Sequence, residues 1–282
     1  MSYTTREELI KVFEDTQSWY STCDELKESI RQSIAGTVLY GASEYPKINT
    51  TPNKAGKIIV TAQRSFEAAV QMMNDHGHVA VHNFASATNP GGGVTRGSRA
   101  QEECLCRCST LYPVLNTEAL RRGYYDYHRR QHNVLYTDAC IYMPGIRVIK
   151  TDTDLPQRLP QHLWETVDVL TCAAPNLRPV PYNRMNPGQG DAVQISDAEL
   201  LQLHKKRASH LLTIAAANDV NALVLGAFGC GAFENDPRIV AKAYAAVLEE
   251  YRHYFDEIRF AVYCSPRDRS NYEAFAEVLG KI

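Results

Sequence analysis

In two places along this chain a short apolar run stops at a cluster of glycines. Residues 78–84 (HVAVHNF) lead to Asn89-Pro90-Gly91-Gly92-Gly93, and residues 222–227 (ALVLGA) lead to Gly229-Cys230-Gly231-Ala232-Phe233. A run of that length bounded by turn residues suits a buried strand. Glycine directly after it lets the backbone approach a ligand and permits the positive φ at which successive N–H groups converge on an anion. Open α/β sheets bind ligands at the carboxyl ends of their strands, so two such loops are able to grip one anionic group from both sides. The first loop is neither a phosphate loop, lacking the Gly-Lys-Ser/Thr ending, nor a GxGxxG fingerprint, so a nucleotide-triphosphate engine is not expected.

The rest of the pattern agrees with an α/β fold. Strands are expected over 57–61 (KIIVT), 139–149, 167–173 and 258–263. Helices are expected over 65–73, 101–111, 118–132, 197–218, 237–251 and 272–279, the 237–251 helix starting on a proline. Strands alternating with helices predict a mostly parallel or mixed sheet covered on both faces. Residues 175–191 read as a long polar loop. Ahead of this body, Thr5 and Glu8 fit a capping box, with Leu9, Ile10, Val12 and Phe13 as the apolar face. Residues 24–35 read as a second amphipathic helix and 41–56 as a connection. The division expected is a helical N-terminal extension over 1–50, packed on the core, and one main domain over 51–282.

Composition narrows the partners. With 44% hydrophobic and 22% charged residues and a net charge of −2, no global basic field draws the chain to nucleic acid or an anionic membrane. No apolar run is long enough to span a bilayer and no signal-peptide layout opens the chain. Eight cysteines without a secretory signal read as reduced, cytoplasmic thiols.

Seven residues after the glycine triplet come Gln101, Glu102 and Glu103, at an expected helix start. Adjacent helical residues point about 100° apart, so the two carboxylates are able to do different jobs. One can hold a sugar hydroxyl while the other transfers a proton, as cleavage of a glycosidic bond requires. Partial burial raises a carboxyl's pKa toward neutrality. The plainer reading is that acidic residues favour a helix N-terminus.

The stretch Asn83-Phe84-Ala85-Ser86-Ala87-Thr88-Asn89-Pro90-Gly91-Gly92-Gly93, seven residues, then Gln101-Glu102-Glu103, resembles the signature of the poly(ADP-ribose) glycohydrolases, in their compact microbial form. Residues 226–237 resemble that family's second, diphosphate-binding loop, and the likeness extends over about 40–270. It implies a macrodomain-like three-layer α/β/α sandwich with a mixed sheet and an ADP-ribose cleft. It also implies that Glu103 is the general acid, that Glu102 bonds hydroxyls on the scissile side and that Gln101 fixes their loop. Gly91, Gly92 and Gly93 would pack on the diphosphate and terminal ribose, with Asn89 on a ribose hydroxyl. Gly229, Cys230, Gly231, Ala232 and Phe233 would close over the diphosphate, with Asn235 beside them. No metal and no cofactor are implied; ADP-ribose or ADP-ribosylated macromolecules are the partners, and a monomer is expected. The family often has a small residue or glycine where this chain has Glu234, which is expected to point outward.

Three further features carry less. Cys104, Cys106 and Cys108 have no zinc-ligand spacing and read as structural thiols. His82 reads as packed or surface-facing rather than catalytic, and Tyr124, Tyr125 and Tyr127 as helix packing, any one of them also able to stack on adenine or on a protein target. Beside a glycohydrolase acting on polymer ends stand two other readings: a hydrolase of single ADP-ribose units, and a non-catalytic reader, against which the intact acid pair argues. A thiol enzyme on Cys230 or Cys104 is a remote fourth.

Overall fold

The computed structural model describes residues 4–182, 190–265 and 268–281. Its elements are, in order, α1 (Arg6–Thr22), α2 (Asp24–Gly36), β1 (Val38–Tyr40), β2 (Lys57–Thr61), α3 (Ser65–Met72), β3 (Val79–Phe84), α4 (Gln101–Cys108), α5 (Leu111–Leu115), α6 (Glu118–Leu120), α7 (Asp126–Gln131), β4 (Cys140–Val148), β5 (Glu165–Cys172), α8 (Asp197–Ala217), β6 (Ala222–Leu225), α9 (Pro237–Tyr251), β7 (Glu257–Ala261) and α10 (Ser270–Leu279). The strands form one mixed sheet in the order β1-β4-β5-β3-β6-β7-β2. Neighbours run parallel from β5 to β2; β4 is antiparallel to β5 and to β1.

Alternation along the central strands divides the core in two. On β3, Ala80 faces a cluster with Leu211, Leu212, Val240 and Phe260, beneath α8 and α9. Val79 and Val81 face the other cluster, with Phe66, Met72, Leu105 and Leu111, beneath α3 to α5. Both faces are thus covered, as a parallel sheet requires. β3 and β6 lie in the middle, so the loops that follow them open side by side.

The N-terminal helices join this body. Thr5 Oγ1 accepts from Glu8 N at 3.2 Å and the Glu8 carboxylate accepts from Thr5 N at 2.6 Å, the expected capping box. Phe13 is buried in the second cluster. Thr16 Oγ1 donates to Arg107 O at 2.6 Å, and the buried Lys150 ammonium donates to Val12 O at 2.7 Å and pairs with Asp15 at 2.8 Å. β1 adds a strand to the sheet on the edge of β4.

Two local expectations are corrected, and a third element is irregular. The helix expected over 101–111 stops at Cys108, because Ile149 N and Lys150 N take the Cys108 carbonyl at 2.8 and 3.1 Å. The helix expected over 118–132 is α6, a wide π-type turn over 121–125, and α7. The run at 139–149 is one strand, but its register with β5 slips between Met143 and Ile146, where Pro144 has no N–H to donate. Part of the loop expected over 175–191 lies outside the described residues. Among the described residues no helix is long and apolar enough to cross a membrane.

Candidate active site

A cleft of about 1040 Å³ opens at the carboxyl ends of β3 and β6. Its acidic wall is the first turn of α4. Gln101 anchors that turn: its Oε1 accepts from Phe84 N at 2.9 Å, and its Nε2 donates to His82 O at 2.7 Å and Ser65 Oγ at 3.0 Å. One amide side chain thereby occupies the backbone groups at the end of β3 and holds the helix start against the sheet.

Glu102 and Glu103 then wrap the glycine loop. Glu102 Oε2 accepts from Ser86 N at 2.7 Å, and its Oε1 from Asn83 Nδ2 at 3.4 Å. Glu103 Oε1 accepts from Gly93 N at 2.8 Å. Its Oε2 is buried without a partner, and the residue lines the cleft. A Cβ on Gly92 would lie 2.4 Å from Glu103 Oε1 and 3.2 Å from Glu102 Oε2, and Gly92 has φ of +57°. Only glycine fits there, because the two carboxyls close on its α-carbon. Burial, reinforced by Glu103 beside it, pushes the Glu102 pKa up to about 8. Glu102 therefore keeps its proton near neutrality.

The opposite wall is the second glycine loop. Gly229, Gly231, Ala232 and Phe233 line the cleft. Phe228 forms the floor, its ring 4.5 Å from His82 and 5.7 Å from Phe84. Asn235 is buried beneath the loop: its Nδ2 donates to Pro175 O at 2.8 Å and to Gly229 O and Phe233 O at 3.1 Å, and its Oδ1 meets His204 Nε2 at 2.8 Å. Burial pushes the His204 pKa down to about 4, so the imidazole is neutral and donates.

Of the residues expected at the site, Asn89, Gly92, Gly93, Gln101, Glu102 and Glu103 line one side of the cleft, and Gly229, Gly231, Ala232 and Phe233 the other. Three do not. Asn235 faces inward with its amide saturated. Cys230 packs on the core, its thiol on Phe228 O at 3.6 Å. Gly91 lies behind the wall, where a Cβ would strike the Tyr112 ring at 2.7 Å. Glu234 is exposed and outside the cleft, with φ of +58°. That left-handed backbone is the physical reason a glycine suits the position.

The set-aside features are mostly packing. Burial raises the Cys230 and Cys104 thiol pKa values, away from nucleophilic thiolates. Cys106, Cys108, Tyr124 and Tyr125 are buried, while Tyr127 is exposed. His82 is buried, Nε2 against Cys172 Sγ at 3.1 Å. Among the described residues no group of three His, Cys, Asp or Glu side chains is placed to hold a metal ion.

Sequence reasoning missed Asn83 and Ser86, which hold Glu102. It also missed the far end of the cleft, where Arg64 lies over the Tyr263 ring at 4.1 Å beside the half-buried Asp152. Asn83 and Ser86 stand inside the quoted motif, but nothing in it says which way they point.

Residues 10–151 match the family model of the microbial-type PARG catalytic domain. Poly(ADP-ribose) glycohydrolase from Thermomonospora curvata, bound to the inhibitor ADP-HPD, is 30% identical with a TM-score of 0.80, over 96% of this chain and 99% of that one. A second structure of the same enzyme gives 29% identity and a TM-score of 0.81 over the same shares. Poly(ADP-ribose) glycohydrolase from Deinococcus radiodurans in complex with ADP-ribose gives 32% and 0.75, over 89% of this chain and 97% of that one. No curated protein sequence matches.

Proposed function

The chain belongs to the microbial-type poly(ADP-ribose) glycohydrolase family, and from that premise we propose that it hydrolyses the ribose–ribose bonds of poly(ADP-ribose) with Glu103 as general acid. One observation carries the assignment of the acid: of the four carboxyl oxygens around Gly92, Glu103 Oε2 alone is buried at the cleft with no protein partner.

The steps follow from that arrangement. The terminal ADP-ribose unit lies with its diphosphate against the backbone of residues 229–233 and its distal ribose against Gly92 and Gly93. A proton passes from Glu103 to the bridging oxygen as the bond from that oxygen to the anomeric carbon breaks. Positive charge develops on the ribose, next to a carboxylate that has just become negative. A water attacks the anomeric carbon, and its proton returns to Glu103, releasing ADP-ribose. Glu102, clamped by Ser86 and Asn83, holds the hydroxyls of the same sugar. The fit to an ADP-ribose cleft between two glycine loops supports a macrodomain-like architecture, and the eight unpaired cysteines support a cytoplasmic setting. Action from chain ends by a monomer belongs to the same reading, as does the division into an extension over 1–50 and a catalytic domain over 51–282.

The test is release of free ADP-ribose from poly(ADP-ribose) and from mono-ADP-ribosylated protein, by wild type and Glu103→Gln. Release from polymer by wild type alone supports the proposal. Release from the mono-modified protein alone would move the substrate to single units, and ADP-ribose binding without release from either would leave a reader. Equal turnover by the variant would remove Glu103 from the mechanism.

A further inference from the structure

The cleft carries cations on its acidic wall that the reaction as derived does not use. Five arginines line it, and two of these are committed elsewhere. Arg64 bonds Asp154 and covers Tyr263; Arg178 donates to Asn176 Oδ1 at 3.1 Å and Pro181 O at 2.9 Å. The other three, Arg6, Arg96 and Arg99, are exposed. None of them has a carboxylate partner among the described residues.

These three are brought together from two distant parts of the chain. Arg96 and Arg99 sit in the loop that leaves Gly93 and returns to Glu103. Gly97, between them, has φ of +69° and lies so close to α1 that a Cβ would be 2.4 Å from the Arg6 carbonyl oxygen. The Arg99 guanidinium donates to Thr4 O, and the buried Arg107 donates to Ser98 O at 2.7 Å. Arg6 is the first residue of α1, where the helix dipole disfavours a cation. Arg99 is thus held on one backbone carbonyl, but no ion pair accounts for any of the three guanidinium groups lining the cleft and helix stability does not account for Arg6, whereas an anionic ligand would account for them together.

We propose that Arg6, Arg96 and Arg99 form a second anion subsite, which takes the diphosphate of the polymer unit that stays on the chain after cleavage. This rests on the proposed function. The released unit's diphosphate lies across the cleft on residues 229–233. The oxygen protonated by Glu103 belongs to the next unit, so that unit leaves from the carboxyl side. Its diphosphate meets the loop over 94–100, whose guanidinium groups suit phosphate oxygens.

The experiment compares wild type with Arg6→Gln/Arg96→Gln and with Arg96→Glu, a single change outside any α-helix. Readouts are the KM for poly(ADP-ribose) between about 50 and 200 mM salt and the Kd for free ADP-ribose. The expected result is a KM raised about tenfold at low salt in the double variant and more in Arg96→Glu, with a shallower salt dependence and the free ADP-ribose Kd unmoved. An unchanged KM with an unchanged salt slope would overturn the subsite. So would a Kd for free ADP-ribose that weakens in parallel, because the arginines would then serve the released unit. Wild type that frees no ADP-ribose from polymer would instead bring down the function beneath the proposal, a result plainly different from either.

Discussion

The two glycine loops look alike in sequence and are built in opposite senses. At the first, side chains from α4 reach across and take the loop's N–H groups, so the acids are fixed by the backbone they enclose. At the second, Asn235 turns inward and ties carbonyls from beneath, leaving backbone toward the cleft. One loop presents chemistry and the other presents a surface. A glycine cluster after a strand therefore says that something approaches closely, but not whether the approaching atom is ligand or protein. At Gly92 it is both.

The sharpest break of this comparison is a pair of substitutions. Glu103→Gln should lower kcat on polymer by about 10³ while ADP-ribose affinity and melting temperature hold. Asn235→Ala should do the reverse. Loss of a buried amide with four partners should cost about 3 kcal/mol of stability and weaken ADP-ribose binding, with the shape of the pH–rate profile kept. Calorimetry and single-turnover kinetics on both proteins would read this out. Parallel losses in the two variants would mean that the loops do not divide the labour.

The acidic side alone should answer to pH. Glu102 has its folded pKa raised above its unfolded value, to about 8. It therefore costs stability at pH above the unfolded value of about 4.3, and the cost grows until the pH passes the folded value. Glu102→Gln should thus gain more melting temperature at pH 8.5 than at pH 5. It should also move the alkaline limb of the wild-type rate, expected near pH 8, whereas changes in the second loop should not. A limb that stays put in the variant would assign that titration to another group.

Two smaller effects sharpen the picture away from the chemistry. Glu234→Gly relieves a left-handed non-glycine residue and should stabilise by about 0.5–1 kcal/mol, with polymer turnover unchanged, as denaturant midpoints would register. At the opposite ends of the strands, His78 bonds Asp168 at 2.5 Å, which raises its pKa. That contribution is fully present below the unfolded histidine pKa and is lost as pH rises through the raised folded value. His78→Asn should therefore destabilise at pH 5.5 and matter little at pH 9, by well under 1 kcal/mol because the imidazole is partly exposed.

Much of this was legible from local pattern. The strands at β2, β3 and β6, the helix from Pro237 and the cap at Thr5 follow from periodicity and end signals that neighbours in sequence decide. The site's position followed too, since glycines after central strands mark the cleft. Side-chain direction did not follow. Whether Asn235 faces ligand or core depends on His204 and Pro175, and whether Gly91 is surface or wall depends on Tyr112, all fixed only by packing. β1 is three residues long and exists because β4 offers an edge. The arginine rim was invisible because Arg6 stands ninety residues from Arg96.

The amide of Gln101 gives this active site a particular mechanical character. Its bonds to His82 O and Phe84 N engage the backbone just where β3 runs out, so the start of α4 behaves as an added rung of the ladder. Opening the acidic wall then means unzipping the central strand. The backbone hydrogens of Phe84, Ser86 and Gly93, all held by side chains of residues 101–103, should exchange with solvent only when the sheet itself lets go. The acid side should therefore be the slower-exchanging wall of the cleft, and the loop across it the faster.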